Sequence, residues 1–173
     1  MDKKKGQIWV ETVIYTLIGL GIIGIMLAVI QPKISAQKDK LIIEQTIEIM
    51  KNEIDTRMDI SPGNVRQLDL KLSKGSLFID GENDRIYWVL DESKHKFSEV
   101  GDEIELGRIK AKTEAGEPWK ITLKLDYPGL DLKYDGKDSV KEIEATASLY
   151  IITFENLGIS ESGPKQIINI RVV

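Results

Sequence analysis

The sequence predicts an α+β protein: a long N-terminal α-helix, first transmembrane and then amphipathic, followed by a C-terminal antiparallel β-sandwich. Three observations carry this. Val13–Ile30 is one uncharged apolar run. Past Pro32, apolar residues recur at helical spacing as far as Met58. From Val65 onward the period falls to two, with turn residues between the runs.

The apolar run, VIYTLIGLGIIGIMLAVI, has 18 residues, close to the shortest helix that crosses the hydrocarbon of a bilayer. Lys3, Lys4 and Lys5 precede it, which places the N-terminus in the cytoplasm and the rest of the chain outside. A cleaved secretory signal has a core of about 7–15 apolar residues and a small-x-small site after it. Here the core is longer, and the best such site, ending at Ala36, has Ile34 where a small residue is needed. An uncleaved signal anchor fits both length and charge. A helix lying on the membrane surface does not fit, because such a helix needs a polar face.

A further reading comes from Glu11, a carboxylate at the edge of the run. Charge there costs a few kcal/mol unless it is shallow or paired. Glu11 is shallow enough to reach the interface. Its spacing from Gly6 is more specific: a cut after Gly6 would make Gln7 the first residue, with a cationic α-amine, and Glu11 the fifth. KKKG, then QIWVE, then an uncharged apolar helix, resembles the class III signal peptide of archaeal type IV pilins and related filament subunits. The resemblance covers roughly residues 3 to 31, and the chain departs from many members of that family in having Trp9 and Thr12 beside the glutamate.

The resemblance implies a leader over residues 1–6, recognised through Lys3, Lys4 and Lys5 and cut between Gly6 and Gln7 by a prepilin peptidase on the cytoplasmic side. It implies that residues 7–32 stay on the mature chain as a membrane helix and then as the core of a filament. Glu11 would meet the free amine of a neighbouring subunit and set the register. The implied partners are copies of the chain itself, the prepilin peptidase, and an assembly ATPase with its membrane platform protein. The implied location is the cytoplasmic membrane before assembly and a surface filament after it.

Within the run, Gly19, Gly21, Gly24 and Ala28 are small enough for another helix to approach closely. Glycine is also frequent in membrane helices generally, so both readings stand. Pro32 is expected to kink or interrupt the helix, since it lacks an N–H and crowds the preceding turn. Residues 33–60 continue as an amphipathic helix. Ile43, Ile47, Met50, Ile54 and Met58 form its apolar stripe, which packs on the following domain. Ser61–Asn64, SPGN, ends it with turn chemistry.

Residues 65–173 form the β-rich domain, with roughly seven short strands separated by turn signals. These signals are Asp80–Gly81, Glu117–Pro118, Pro128–Gly129, Asp135–Gly136 and Gly163–Pro164. Glu82–Arg85 reads as a hairpin tip.

The search for catalytic chemistry is negative. There is no cysteine, so thiolate catalysis and disulfides are excluded. The one histidine, His95, sits between lysines in ESKHKFSE and reads as an exposed loop residue. The acids Asp102 with Glu103, and Asp131 with Asp135, lack the spacing of an EF-hand loop. No phosphate-cradling glycine loop or nucleophile elbow is present. The net charge of −4 with interspersed lysines argues against nucleic acid. The sequence therefore predicts a structural protein without cofactor or metal: a subunit of an archaeal type IV pilus-like filament. The alternatives are a minor pilin or pseudopilin, and a monomeric signal-anchored binding module.

Overall fold

The computed structural model describes residues 3–159 and 163–173, and side chains from Trp9 onward within them. The chain divides into two compact units, 1–38 and 39–173. One helix, α1, runs over Lys3–Glu48 with Pro32 inside it. Interruption at Pro32 does not occur. Proline removes one backbone hydrogen bond and strains one turn. In a 46-residue helix the bonds on either side outweigh that single loss.

In the first unit the helix buries almost nothing. Trp9, Tyr15 and Ile25 are about 70% exposed. The helical segment is long and apolar enough to cross a membrane, and none of its most apolar window is covered by the rest of the protein. The Thr16 hydroxyl is satisfied locally: it donates to the Thr12 carbonyl at 2.8 Å.

In the second unit the helical stretch buries the predicted stripe. Ile43, Met50, Ile54 and Met58 are buried, and Ile47 is half-buried. The backbone does not stay α-helical to the SPGN turn. It widens to a π-helix over Ile49–Ile54 and tightens to a 3-10 turn over Asp55–Arg57. Met50, Ile54 and Met58, at two successive spacings of four, outrun a period of 3.6. Local changes of winding keep Met50, Ile54 and Met58 on the core side. The Ser61–Asn64 turn follows, closed by Asn64 N–H donating to the Ser61 carbonyl at 3.1 Å.

Ten strands are described. They are β1 (Val65–Leu70), β2 (Ser76–Asp80), β3 (Arg85–Ser93), β4 (Glu103–Leu106), β5 (Ile109–Glu114), β6 (Trp119–Asp126), β7 (Leu130–Tyr134), β8 (Val140–Glu144), β9 (Tyr150–Ile159) and β10 (Gln166–Val172). They exceed the expected seven because one apparent run is divided and because β7 and β8 lie outside the expected runs. Gly107, at φ 70°, turns EIELGRIKAK into the β4–β5 hairpin. The Asp135–Gly136 turn bounds β7 before β8. The strands make a four-stranded sheet, β1-β9-β10-β7, and a six-stranded sheet, β4-β5-β6-β3-β2-β8. The expectation of a purely antiparallel domain fails at one pair: β7 and β10 run parallel. Between them the chain leaves for the other sheet in β8 and returns in β9, so β7 and β10 are not joined by a hairpin that would reverse direction.

One core cluster draws on the helical segment and on both sheets. It includes Ile43 and Met50, Trp88 and Leu123 of the larger sheet, and Phe154 and Ile168 of the smaller. The Trp88 indole N–H donates to the Lys74 carbonyl at 3.1 Å, so its burial leaves no unmet donor. Gly75 makes that approach possible. It has φ 78°, and a Cβ there would lie 2.4 Å from the Val89 carbonyl oxygen.

The β2–β3 turn is built on two aspartates. Asp84, at φ 51°, accepts Leu132 N–H at 2.9 Å and the Lys165 ammonium at 2.6 Å, tying β7 and the approach to β10 to the turn. Asp80 is buried and accepts from Asn83 and from Arg85 Nε at 2.8 Å. Burial pushes its carboxyl up. The hydrogen bonds from the Asn83 side chain, Arg85 and the Asn83 backbone outweigh that and hold it below the ordinary 3.8. The native state therefore takes up this proton less readily than the unfolded chain. The stabilisation is complete above about pH 4 and is lost as pH falls through the depressed native value. Asp80→Asn is expected to flatten the acid-side fall in unfolding midpoint as the pH drops below about 4. An unchanged slope would contradict this role.

Candidate functional site

The predicted assembly residues all lie on α1. Lys3, Lys4, Lys5, Gly6 and Gln7 are described only by their backbone, which forms its first turns; their side chains lie outside the described residues. Glu11 is exposed, with apolar neighbours on both sides: Trp9, Val10, Val13 and Ile14 are all exposed.

The helical period sorts the small residues. Gly21, Gly24 and Ala28 are spaced three and four apart and share one face. Gly19 lies two residues before Gly21 and falls on the other side. A Cβ added at Gly19, Gly21 or Gly24 meets nothing within 4 Å. Glycine here meets no packing need of the chain itself, although each costs the helix about 1 kcal/mol relative to alanine. The face has the shape that close helix–helix contact uses.

Three of the four acids weighed as cation ligands are engaged with basic side chains. Asp131 lies 3.3 Å from Lys133, Asp135 lies 3.7 Å from Arg171, and Glu103 lies 4.0 Å from Lys124. Asp102 is exposed in the turn before β4. Among the described residues no three or more His, Asp or Glu side chains converge on a point that could hold a metal ion. His95 is half-buried rather than exposed, because its backbone folds around Ser93. Its N–H donates to Ser93 Oγ at 3.1 Å, and that hydroxyl donates to the His95 carbonyl at 2.7 Å.

Two polar clusters were not foreseen. Asp39, the first residue of the second unit, is buried. Its Oδ1 accepts from the Lys74 ammonium at 2.8 Å and its Oδ2 from Lys94 N–H at 2.7 Å. The Lys74 ammonium also donates to the Glu92 carbonyl at 2.9 Å. In KDK the aspartate reads as one of several solvated charges. The available signal was its position four residues before Ile43, on the buried stripe.

The second cluster joins the 3-10 turn to the β4–β5 hairpin. Asp55 accepts from Arg108 Nη1 at 2.6 Å, and the Arg108 guanidinium lies 5.1 Å from the centre of the Tyr127 ring. The Tyr127 hydroxyl is buried without a hydrogen-bond partner. Burial first, then the Asp55 carboxylate, pushes its pKa far above the ordinary tyrosine range, against the pull of Arg108, so the phenol stays neutral. Both clusters are structural braces.

The chain thus has an uncovered apolar helix with a lone carboxylate near its start and a face of small residues, and a separate braced β domain. Compared with protein-family models, curated proteins and solved structures, the chain has no match.

Proposed function

We propose that this protein is a structural subunit of an archaeal type IV pilus-like surface filament. A prepilin peptidase removes residues 1–6, and the mature chain starting at Gln7 polymerises through its apolar helix. An ATPase and a membrane platform protein drive assembly from the cytoplasmic membrane, with the N-terminus inside and the β domain outside. The two sheets are read as the layers of one β-sandwich, since a single core draws on both.

The observation that carries the reading is Glu11. It is the sole acid from Gln7 to Lys38, and it stands where the uncharged apolar run begins. A simple anchor has no use for a carboxylate five residues after a glycine, whereas a subunit freed at Gln7 has an amine to pair with it. The face formed by Gly21, Gly24 and Ala28 supports the same reading, because it is bare in the single chain. The test is to shear surface material from cells and examine it by electron microscopy with an antibody to the β domain. Labelled filaments are expected; label confined to membranes would contradict the proposal.

Gly24→Leu separates packing from anchoring. It gives the helix a better former, worth about 1 kcal/mol, and its side chain meets nothing in the chain itself. Membrane insertion and the unfolding midpoint of the solubilised chain are expected to hold, while filament yield falls at least about tenfold, the equivalent of 1.4 kcal/mol per contact. Normal yield would remove this face from the interface.

A further inference from the structure

The uncharged run Val13–Ile30 carries two hydroxyls, those of Tyr15 and Thr16. The Thr16 hydroxyl is bonded within its own helix, to the Thr12 carbonyl. Tyr15 is 71% exposed, and among the described residues its phenol has no hydrogen-bond partner. In the membrane this costs little. Tyr15 lies two residues, about 3 Å, inside the start of the run, where a tyrosine keeps its ring in hydrocarbon and its hydroxyl in water. A filament core offers neither water nor headgroups, and a phenol buried there without an acceptor is penalised. The sole charged acceptor between Gln7 and Lys38 is Glu11, four residues before Tyr15.

The proposed pairing of Glu11 with a Gln7 amine fixes where that acceptor lies. Chains inserted in one orientation pack as parallel helices. If Glu11 of one copy meets the Gln7 amine of a second, the two are offset by four residues, about 6 Å along the axis. The same offset brings Tyr15 of the first copy level with Glu11 of the second. Positions four apart advance only about 40° round a helix, so Gln7, Glu11 and Tyr15 share one face. A carboxylate has two oxygens and accepts from more than one donor.

We infer that the Tyr15 hydroxyl of each copy donates to the Glu11 carboxylate of the next, whose other oxygen takes the Gln7 amine of the copy after that. This rests on the proposed filament and deepens it. Glu11 joins three copies rather than two, and Tyr15 is a positioning residue for its carboxylate. The contact is heterologous, with Tyr15 on one side and Glu11 on the other, so it repeats along the assembly rather than closing as a pair. It also accounts for the unpartnered phenol of the single chain, because the acceptor belongs to a neighbour.

Tyr15→Phe removes the hydroxyl and keeps the ring. In the otherwise native chain it is expected to lower the yield of sheared filaments about threefold, the scale of one hydrogen bond between membrane helices, with the membrane-inserted pool unchanged. In a Glu11→Ala background it is expected to cause no further loss, because the acceptor is already gone. Full yield of Tyr15→Phe would overturn the inference and leave Tyr15 an interfacial anchor. An equal loss in both backgrounds would also overturn it, since the hydroxyl would then act without Glu11.

The chain has no cysteine, so introduced thiols report the contact itself. Two copies with different epitope tags, one carrying Tyr15→Cys and the other Glu11→Cys, are co-expressed with an excess of the unaltered chain, and the cells are mildly oxidised. A disulfide-linked dimer bearing both tags is expected, at least about fivefold more abundant than from Leu17→Cys with Glu11→Cys. Leu17, two positions after Tyr15, falls on the opposite side of the helix. Filaments without this dimer would overturn the contact and leave the filament proposal standing. Absence of filaments from the unaltered chain would overturn both.

Discussion

Glu11→Ala is expected to yield a chain that is inserted and cut after Gly6 as before but enters filaments at least about tenfold less well, a loss of about 1.4 kcal/mol or more per subunit. At 4 Å and an effective dielectric near 20, a carboxylate and an amine attract by about 4 kcal/mol. Desolvation offsets much of this, so the net gain from the pair is smaller. The larger effect is on wrong alignments. Trp9, Val10, Val13 and Ile14 surround Glu11 with apolar surface, so a slipped neighbour would bury the carboxylate unpaired. Glu11→Gln keeps the shape without the charge and is expected to fall between alanine and the native residue. Quantitative blotting of the chain in sheared and membrane fractions measures this. Full incorporation of Glu11→Ala would refute the pairing.

Asp39→Ala is expected to destabilise the second unit by about 2–3 kcal/mol, the scale of losing hydrogen bonds to a charged group. It leaves the Lys94 N–H without its acceptor and the Lys74 ammonium with only the Glu92 carbonyl. Lys74 is partly exposed, so water recovers part of the loss, and the cost stays below that of breaking a wholly buried pair. Asp39→Asn retains an acceptor for Lys94 N–H and is expected to lose about half as much. Denaturant midpoints of the detergent-solubilised chain check both, and a change below about 0.5 kcal/mol for the alanine variant would place Asp39 among ordinary surface charges. Glu11 and Asp39 thus differ in kind: one variant spares the fold and stops assembly, the other weakens the fold.

The features legible in the sequence were those written in strong periodicity. The apolar run up to Ile30 and the stripe from Ile43 to Met58 specified the long helix, and the period of two after Val65 specified the sheet-rich part. Turn chemistry was equally readable: Gly81 follows the last residue of β2, and Pro128–Gly129 and Asp135–Gly136 lie between strands. The features that escaped depend on partners remote in sequence. Asp39 takes its meaning from Lys74 and Lys94, which only the fold brings to it. The parallel pairing of β7 with β10 depends on where β8 and β9 go, and no local pattern encodes that. The π-helix at Ile49–Ile54 was implicit in the run of four-residue spacings. Of the kink or interruption expected at Pro32, interruption does not occur, because a local penalty is small against the length of the helix. In the candidate site, the roles of Gly6, Gln7 and Glu11 were suggested by spacing, whereas the sorting of Gly19 away from Gly21, Gly24 and Ala28 needed the helix itself.

The measurement that bears most directly on the central claim is the N-terminal sequence and intact mass of the native protein, taken from membranes and from sheared surface material. The account expects a chain that begins at Gln7 and is found in the sheared fraction. A chain that begins at Met1 or Asp2 and stays in the membrane would mean an uncleaved anchor. Glu11 would then be an incidental interfacial residue, and the filament reading would fall.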